Sequence, residues 1–316
     1  MVMEITDALP DPDLPLPLSQ HPMFAAALKG CGRRAELLVL RQGHRLIGQV
    51  LLVSRRLGPF GSITLASRGP VWDQDARLND QIAGIRALRG CGLAMIEAEN
   101  QDSRQLRYCG YRQMTTPAHV AELDLRGGPA AIRARAQGKW RNRMAQAERA
   151  GLTIRSLPFD GETGDWLFRM EAAQQRRKGY VSLPVALSAA FAQIHPGMAR
   201  LFIAEREVVP IAMPVAAMLF LRHGSVATYQ IGWSGSEGRD VSAHHLILMH
   251  AANWLAARGH TRLDLGTVDT ETAPGLARFK LGSGAQMRSL GGSWLRLPFL
   301  SQSKAGNREQ IRLDHV

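Results

Sequence analysis

The most distinctive candidate for chemistry is one lysine in the stretch APGLARFKLGSG, residues 273–284. Lys280 follows an aromatic residue, Phe279, and precedes a Gly-x-Gly turn. The stretch predicts a short helix that begins at Pro274 and follows a strand, which is where α/β proteins gather their sites. A fixed ammonium in that place can stabilise negative charge that develops on a reacting oxygen. The alternative is a surface lysine beside a core phenylalanine.

Carboxylates at the predicted strand ends are candidates for accepting a proton or contacting a substrate. Asp264 and Asp269 flank the end of the run TRLDLGTVD, and Glu99 ends the run LAMIEAEN. A carboxylate beside an amine can take its proton during nucleophilic attack. Because side chains alternate along a strand, Asp264 shares a face with Arg262, so an ordinary ion pair is the alternative.

Phe279 and three further side chains are candidates for holding a substrate. Tyr229 lies on the predicted strand VATYQIGWS, and Arg177 and Tyr180 lie in RRKGYVSLP. Arginine binds carboxylate and phosphate groups through two parallel hydrogen bonds. The alternatives are a core tyrosine for the strand and a solvated loop for the other two.

Positive charge is concentrated in one segment. The chain carries a formal charge of +12, and seven basic residues accompany one acidic residue between positions 126 and 149. The segment predicts one helix from Pro129 to about Gly151, with an apolar stripe along one side. The predicted phosphate- or nucleic-acid-binding residues on this helix are Arg135, Lys139, Arg141 and Arg143. A solvated basic face, or a compositional bias towards arginine, is the alternative.

Composition indicates a globular chain of ordinary type. Its 316 residues suffice for two domains, and its three cysteines contain no CxxC pair, which favours a reducing cytosol. The proline-rich N-terminus lacks a secretory signal pattern, and the longest apolar run is too short to span a bilayer. We therefore predict a cytoplasmic location. No cofactor and no metal site are predicted, since adjacent histidines such as His244 and His245 point in different directions on a helix.

The two halves of the sequence repeat one pattern. ALRGCGLAMIEAEN and the following DSRQLRYCGYRQM parallel AARGHTRLDLGTVD and APGLARFKLGSGAQM. Helix, Arg-Gly stop, strand, short helix and glycine turn recur in that order, which indicates an internal duplication. The order of elements matches an acetyltransferase-type (GNAT) domain. The predicted fold class is α/β, with two tandem GNAT-like domains that each have a mixed central sheet flanked by helices.

The sequence resembles the FemAB/FemX family of peptidoglycan-bridge aminoacyltransferases. The resemblance covers most of the chain and rests on these segments: PLSQHPMFAAALKGCG, SRGPVWDQDARLNDQIAGIRAL, KWRNRMAQAERAGLTI, ARGHTRLDLG and GLARFKLGSG. It implies a largely structural first domain over 1–150, a second over 151–292 that bears Lys280, and a tail over 293–316 that packs back on the first. The family motif of lysine after phenylalanine gives Lys280 the catalytic role. Where the family often has Asp-Pro, this chain has Glu99–Asn100.

The resemblance implies attack of an amine on an activated acyl group. The donor would be an aminoacyl-tRNA and the acceptor an amine, in the family a lysine-type amine on a cell-wall precursor. An acyl-CoA-dependent N-acyltransferase is the first alternative, although the loop SEGRDVSA departs from the usual pyrophosphate-binding pattern and Asp240 would repel phosphate. A non-catalytic protein that binds RNA or a membrane surface is the second alternative. It has support from charge but from no RNA-reading motif.

Overall fold

The computed structural model of the chain describes residues 3–6, 15–56, 62–162, 165–179, 183–208 and 211–296. The strands in chain order are β1 (Glu4–Thr6), β2 (Arg34–Gln42), β3 (Arg45–Arg56), β4 (Ser62–Ser67), β5 (Val71–Trp72), β6 (Leu93–Glu97), β7 (Arg112–Thr115), β8 (His119–Asp124), β9 (Thr153–Pro158), β10 (Ala199–Val208), β11 (Ile211–His223), β12 (Val226–Ser234), β13 (Arg262–Val268), β14 (Gln286–Ser289) and β15 (Ser293–Leu295). The α-helices are α1 (Pro22–Gly30), α2 (Leu78–Leu88), α3 (Arg104–Tyr108), α4 (Gly128–Arg135), α5 (Gly138–Arg149), α6 (Asp165–Lys178), α7 (Val185–Ile194), α8 (Ser236–Asp240), α9 (Ala243–Ala256) and α10 (Pro274–Gly282).

These strands form two mixed sheets with the same internal order. Among the described residues, the first sheet runs β1-β2-β3-β4-β6-β15-β7, with β5 beside β3. The second runs β9-β10-β11-β12-β13-β8-β14. Each has one parallel pair, β4 with β6 and β12 with β13, in the same place in the order. The predicted α/β fold of two tandem GNAT-like units is therefore confirmed.

The two sheets exchange one strand each. β8 follows β7 in the chain but lies between β13 and β14 of the second sheet. β15 follows β14 but lies between β6 and β7 of the first sheet. Each sheet is therefore completed by a strand that the other half of the chain supplies.

Sheet membership differs from the domain division that the sequence suggested. β8, α4 and α5 precede residue 150, yet their apolar residues belong to the core of the second sheet, including Leu123, Ile132, Trp140 and Met144. The start of the predicted tail, β15, pairs within the first sheet, and residues 297–316 lie outside the described residues. The boundaries at 150 and 292 therefore do not separate two self-contained sheets. An exchanged strand has the same alternating pattern wherever it pairs, so the sequence alone could not assign it.

Both faces of the second sheet are covered. One face packs against α4, α5 and α9 around Phe202 and Phe220. The other packs against α6 and α7 and also against α1 from the first half, around Phe191 and Leu201. A separate cluster around Ile47 and Ile85 fills the first unit. The core around Phe191 and Leu201 thus includes side chains from both halves of the chain, and this shared core holds the two units together.

The basic segment forms two helices instead of the single helix predicted. α4 ends at Arg135 and α5 begins at Gly138, because Ala136 and Gln137 are extended. The backbone N–H of Gln137 donates to the carbonyl of Gly282 at 2.9 Å, which attaches the break to the end of α10. The predicted apolar stripe is buried all the same. Among the described residues, no helix combines the length and apolar character needed to cross a bilayer.

Candidate functional site at the opening between β12 and β13

The parallel strands β12 and β13 pair only at their beginnings. Their register runs from Val226 opposite Arg262 to Thr228 opposite Asp264 and then stops, although both strands continue. A bulge in β12, where Phe220 pairs with Tyr229 and Leu219 with Ile231, leaves Gln230 as the extra residue. Bulges increase strand twist and interrupt pairing. The second sheet therefore opens between the carboxyl ends of these two strands.

Lys280 lies at this opening, buried within α10 and 5% exposed. Its Nζ donates to the carbonyl of Thr267 on β13 at 2.7 Å. Burial lowers the pKa of Lys280 to about 8, and the negative charge of Asp264 partly offsets that effect. An ammonium has three donors. At neutral pH the side chain is mostly charged and retains donors beyond the one that Thr267 uses, so it can act on an oxygen in the opening.

The turn before α10 holds the lysine in place. Asp269 Oδ1 accepts from the backbone N–H groups of Glu271 and Thr272 at 2.9 and 2.8 Å, and the Thr272 hydroxyl donates to its other oxygen. These hydrogen bonds lower the pKa of Asp269, which is exposed. Pro274 occupies the first turn of the helix, where its missing N–H costs nothing. A strongly acidic carboxyl is a weak base, so these contacts favour a positioning role for Asp269.

Asp264 is 2% exposed and both of its carboxylate oxygens are engaged. Oδ1 accepts from the backbone N–H of Gly266 at 2.7 Å, and Oδ2 is bound by the guanidinium of Arg68 from the first half. The alternative partner suggested by the sequence, Arg262, lies instead 3.8 Å from Glu122. The candidate base is therefore paired across the two units.

Arg68 joins the carboxylates of the two halves. It binds Glu99 through two hydrogen bonds of 2.8 and 3.1 Å while also binding Asp264. Burial opposes its charge, but the charges and hydrogen bonds of Asp264 and Glu99 outweigh this and raise the pKa of Arg68. Arg288 on β14 adds a second guanidinium that contacts Glu99 and Glu122. We call Arg68, Glu99, Glu122, Asp264 and Arg288 the interunit ion cluster.

Phe279 packs into a group of rings between α5, α9 and α10. Its ring centroid lies 5.1 Å from that of His245 and 6.2 Å from that of Trp140. The Trp140 Nε1–H donates to the carbonyl of Phe279 at 3.0 Å. Burial, the largest effect, lowers the pKa of His245 to about 4, so this histidine is neutral at physiological pH. The structure thus places Phe279 in the packing that orients α10.

Tyr229 lies at the bulge of β12 and is half-buried. Its ring is 5.8 Å from Phe220, and its hydroxyl lies over Gly232, where a Cβ would overlap it at 1.7 Å. Glycine at position 232 therefore leaves room for the tyrosine across the bulge. The predicted strand that carries Tyr229 is present and borders the opening, and contact of the tyrosine with substrate stays a prediction.

The predicted residues near the loop after α6 are not brought to this opening by any described contact. Arg177 is exposed on α6. Tyr180 lies outside the described residues. Their roles in holding an acceptor stay predictions.

The predicted phosphate-binding residues divide into two pairs. Arg135 donates to the carbonyls of Asp124 and Arg126, and Arg141 donates to the carbonyls of Ala134 and Ala136. These two guanidiniums therefore bind backbone carbonyls just before α4 and at its end. Lys139 and Arg143 are exposed on α5. Whether any of the four contacts nucleic acid is untested and remains a prediction.

The segment before α9 is partly occupied by a short helix that the sequence analysis did not predict. α8 covers Ser236–Asp240, and Ser242 precedes α9 with a left-handed φ of 59°. Asp240 is exposed beside this helix start. Its charge opposes binding of a pyrophosphate at the N-terminus of α9. Among the described residues, no group of histidine, cysteine or acidic side chains is arranged to hold a metal.

Sequence reasoning missed Arg68, Glu122 and Arg288. Arg68 lies in SRGPVW, part of a segment that carries the family resemblance, but nothing local showed that its partner Asp264 lies 196 residues away. Arg68 has a φ of 53°, which is unusual for a residue other than glycine. That backbone conformation is visible only in the structure.

Comparisons with known proteins agree with this architecture. Residues 134–281 match the model of the family described as "Acetyltransferase (GNAT) domain". No curated protein matches the sequence. The chain is similar in fold to a crystal structure of FemX, with a TM-score of 0.71 at 14% identity over 88% of this chain and 93% of that one.

Two further structures share the fold less closely. One is the C-terminal domain of a putative lysylphosphatidylglycerol synthetase from Agrobacterium fabrum, with a TM-score of 0.55 at 12% identity over 88% of each chain. The other is a tandem GNAT protein from the clavulanic acid biosynthesis pathway, with a TM-score of 0.51 at 12% identity over 92% of this chain and 97% of that one. The chain is therefore an acyltransferase of the GNAT fold, built like FemX from two tandem GNAT-like units.

Proposed function

We propose that the protein transfers an aminoacyl group from an aminoacyl-tRNA to an amine and so forms an amide bond. The observation that carries the proposal is Lys280, a buried ammonium at the opening between β12 and β13. The likeness in fold to FemX and to a lysylphosphatidylglycerol synthetase domain supports an aminoacyl donor. The choice of a cell-wall precursor amine as acceptor rests on the FemAB resemblance of the sequence.

The transfer needs one charge stabilised and one proton moved. The neutral amine of the acceptor attacks the ester carbonyl carbon of the aminoacyl group and forms a tetrahedral intermediate with a negative oxygen. Lys280 would donate a hydrogen bond to that oxygen, and one donor aimed there contributes about 3 kcal/mol. The carbon–oxygen bond to the ribose then breaks, and the proton lost by the amine goes to the departing hydroxyl oxygen.

The proton of the amine must reach the leaving oxygen. Asp264 and Asp269 are the predicted bases, but Asp264 is bound by Arg68 and Asp269 closes the turn before α10. The hydrogen bonds that Asp269 accepts lower its pKa, which makes it a weaker base, and both oxygens of Asp264 are already engaged by Arg68 and Gly266. We therefore favour direct or water-mediated transfer from the amine to the leaving hydroxyl.

An acyl-CoA donor is the alternative, supported by the GNAT domain itself. The exposed carboxylate of Asp240 at the start of α9 weighs against it, since that helix end would otherwise receive the pyrophosphate. The two donors also differ in charge. Binding of a tRNA should weaken steeply with added salt, whereas binding of CoA should weaken far less.

The deciding experiment offers the protein charged tRNAs and, in separate reactions, acyl-CoAs, each with a panel of amine acceptors that includes lysine-terminated cell-wall peptides. Mass spectrometry detects the amide product. Lys280→Met serves as the inactive variant and Lys29→Met, at an exposed position on α1, as the matched control. A product from acyl-CoA alone would overturn the proposed donor, and full activity of Lys280→Met would overturn the proposed role of the lysine.

A further inference from the structure

Three arginines surround one tryptophan at the end of the second unit away from Lys280. The guanidinium carbons of Arg258, Arg200 and Arg222 lie 3.6, 4.8 and 5.2 Å from the ring centroid of Trp254 on α9. Arg200 is the second residue of β10, Arg222 is the last but one of β11, and Arg258 follows α9. We call Arg200, Arg222 and Arg258, which surround Trp254, the arginine triad.

In the part of the chain that the structure describes, the guanidiniums of the triad contact neutral groups. Among the described residues, none of the three guanidiniums forms an ion pair with an acidic side chain. Arg200 donates to the Ser156 hydroxyl and carbonyl, and Arg258 donates to the Trp254 carbonyl. Arg222 donates to the ring of His260 and to a backbone carbonyl. All of these acceptors are neutral, so the positive charges remain uncompensated.

The positive charges of the triad repel one another, and this repulsion contributes to lowered pKa values. Burial, followed by the charges of Arg258 and Arg222, lowers the pKa of Arg200. Burial and the charge of Arg258 lower the pKa of Arg222. Burial and the charge of Arg222 lower the pKa of His260 to about 4, so this histidine accepts in its neutral form. Three like charges gathered on one ring would be stabilised by an anion from outside the chain.

The triad and Lys280 are separated by most of the length of α9. His245, near the start of α9, contacts the ring of Phe279, which directly precedes Lys280, and Trp254 lies nine residues further along the helix. At 1.5 Å of rise per residue this is a separation of roughly 14 Å along the axis. Stacked nucleotides advance about 3.4 Å each along one strand, so about four nucleotides span the same distance.

We propose that the arginine triad binds the phosphodiester backbone of RNA. The inference rests on the proposed function, in which a tRNA delivers the acyl group to Lys280 and its strand continues over the surface of the second unit to the triad. The guanidiniums cover the indole of Trp254, so the ring is not available for stacking with a base. The contacts are therefore with phosphates and are independent of base sequence.

A membrane surface fits the geometry less well. A bilayer seated on the triad would hold Lys280 roughly 14 Å above the headgroups, by the same helix rise. An acceptor in that bilayer would not reach the ammonium. The position of the triad thus favours a long, flexible polyanion that can extend from one end of α9 to the other.

The test measures binding of fluorescent, deacylated bulk tRNA over a range of salt concentrations. The triad variant is Arg200→Gln/Arg222→Gln/Arg258→Gln. The matched control removes three exposed arginines of the first unit that have carboxylate partners, Arg34→Gln/Arg45→Gln/Arg104→Gln. Loss of three phosphate contacts should reduce the slope of log K against log salt by about 2 and weaken binding by about tenfold or more near physiological salt. The control should bind within about twofold of the unaltered protein.

Arg200 is partly buried, so its replacement can affect folding, and Arg258→Glu provides a second variant at an exposed position. It should weaken tRNA binding severalfold while thermal unfolding stays unchanged. Equal tRNA affinity of the folded variants and the control would overturn the inference. So would unchanged tRNA binding together with lost binding to vesicles of equal parts phosphatidylglycerol and phosphatidylcholine. Absence of transfer from charged tRNA, with tRNA binding that still depends on the triad, would overturn the proposed donor and leave the RNA site standing.

Discussion

The two sheets have the same strand order, but only the second is open at its parallel pair. In the first sheet β4 and β6 stay paired up to Ser67 opposite Glu97, and the N–H of Gly69 continues the contact. In the second sheet the pairing of β12 and β13 stops at Thr228 opposite Asp264. One sheet is therefore closed where the other provides a site.

The residues at corresponding positions explain this difference. When the halves are aligned at their Arg-Gly helix ends, Glu97 corresponds to Gly266. When they are aligned at the aromatic residues of their short helices, Tyr108 and Phe279, Cys109 corresponds to Lys280. Glu97 bonds to Ser67 across the closed pair, whereas Gly266 has a φ of 76° and lies close to the lysine Nζ. A few substitutions on one scaffold thus distinguish the unit that holds the buried lysine from the unit that does not.

The largest expected effect comes from breaking the link between the units. Arg68→Met should lower the free energy of unfolding by about 3–5 kcal/mol, because it leaves buried Asp264 and Glu99 without a cation that they share. Chemical denaturation measures the change. Arg34→Met, which removes an exposed arginine, should change it by less than about 0.5 kcal/mol. Equal stability of the two variants would show that the interunit ion cluster contributes nothing to folding.

The next prediction tests the chemical asymmetry between the units. Lys280→Met should slow transfer about 100- to 1,000-fold, the loss expected for one oxyanion donor. Cys109→Ser, at the corresponding place in the first unit, should leave the rate within about threefold after correction for folded protein. Initial rates under saturating donor measure both. A comparable loss in the two variants would remove the distinction between a chemical and a structural unit.

The pH dependence of transfer tests whether Lys280 acts in its charged form. Burial lowers the pKa of Lys280 to about 8, so its charged form is complete below that pH and disappears above it. The rate divided by the fraction of acceptor in its neutral amine form should therefore fall by about tenfold per pH unit above pH 8. In Lys280→Arg the side chain stays charged, so this alkaline decline should be absent from whatever activity remains. An identical decline in that variant would assign the titration to another group.

The smallest expected effect concerns the turn before α10. Asp269→Ala should lower the free energy of unfolding by about 1 kcal/mol, since it removes hydrogen bonds to exposed backbone groups. Transfer should fall only a few-fold, because the lysine keeps its contact with Thr267. Steady-state rates and thermal unfolding measured together separate the two effects. A loss as large as that of Lys280→Met would restore Asp269 as a catalytic base.

Local patterns were sufficient to predict the repeated units and the position of the lysine. The spacing of apolar residues, the Arg-Gly helix ends and the glycine turns report the environment of each segment, and these predicted the α/β class and the short helix that carries Lys280. The buried stripe through Ile132, Trp140 and Met144 was predicted in the same way. The break between α4 and α5 was not, because it depends on a hydrogen bond from Gln137 to distant Gly282.

The sequence by itself therefore determined the duplication, the type of fold and the single ammonium at the end of the second unit. Only the tertiary structure decided which sheet receives β8 and which receives β15, because an alternating strand pattern does not specify its partner. It also decided that Asp264 is paired with Arg68 and that three arginines meet at Trp254. Periodicity specifies which face of an element is buried, whereas the charge that a side chain meets depends on residues brought together from far along the chain.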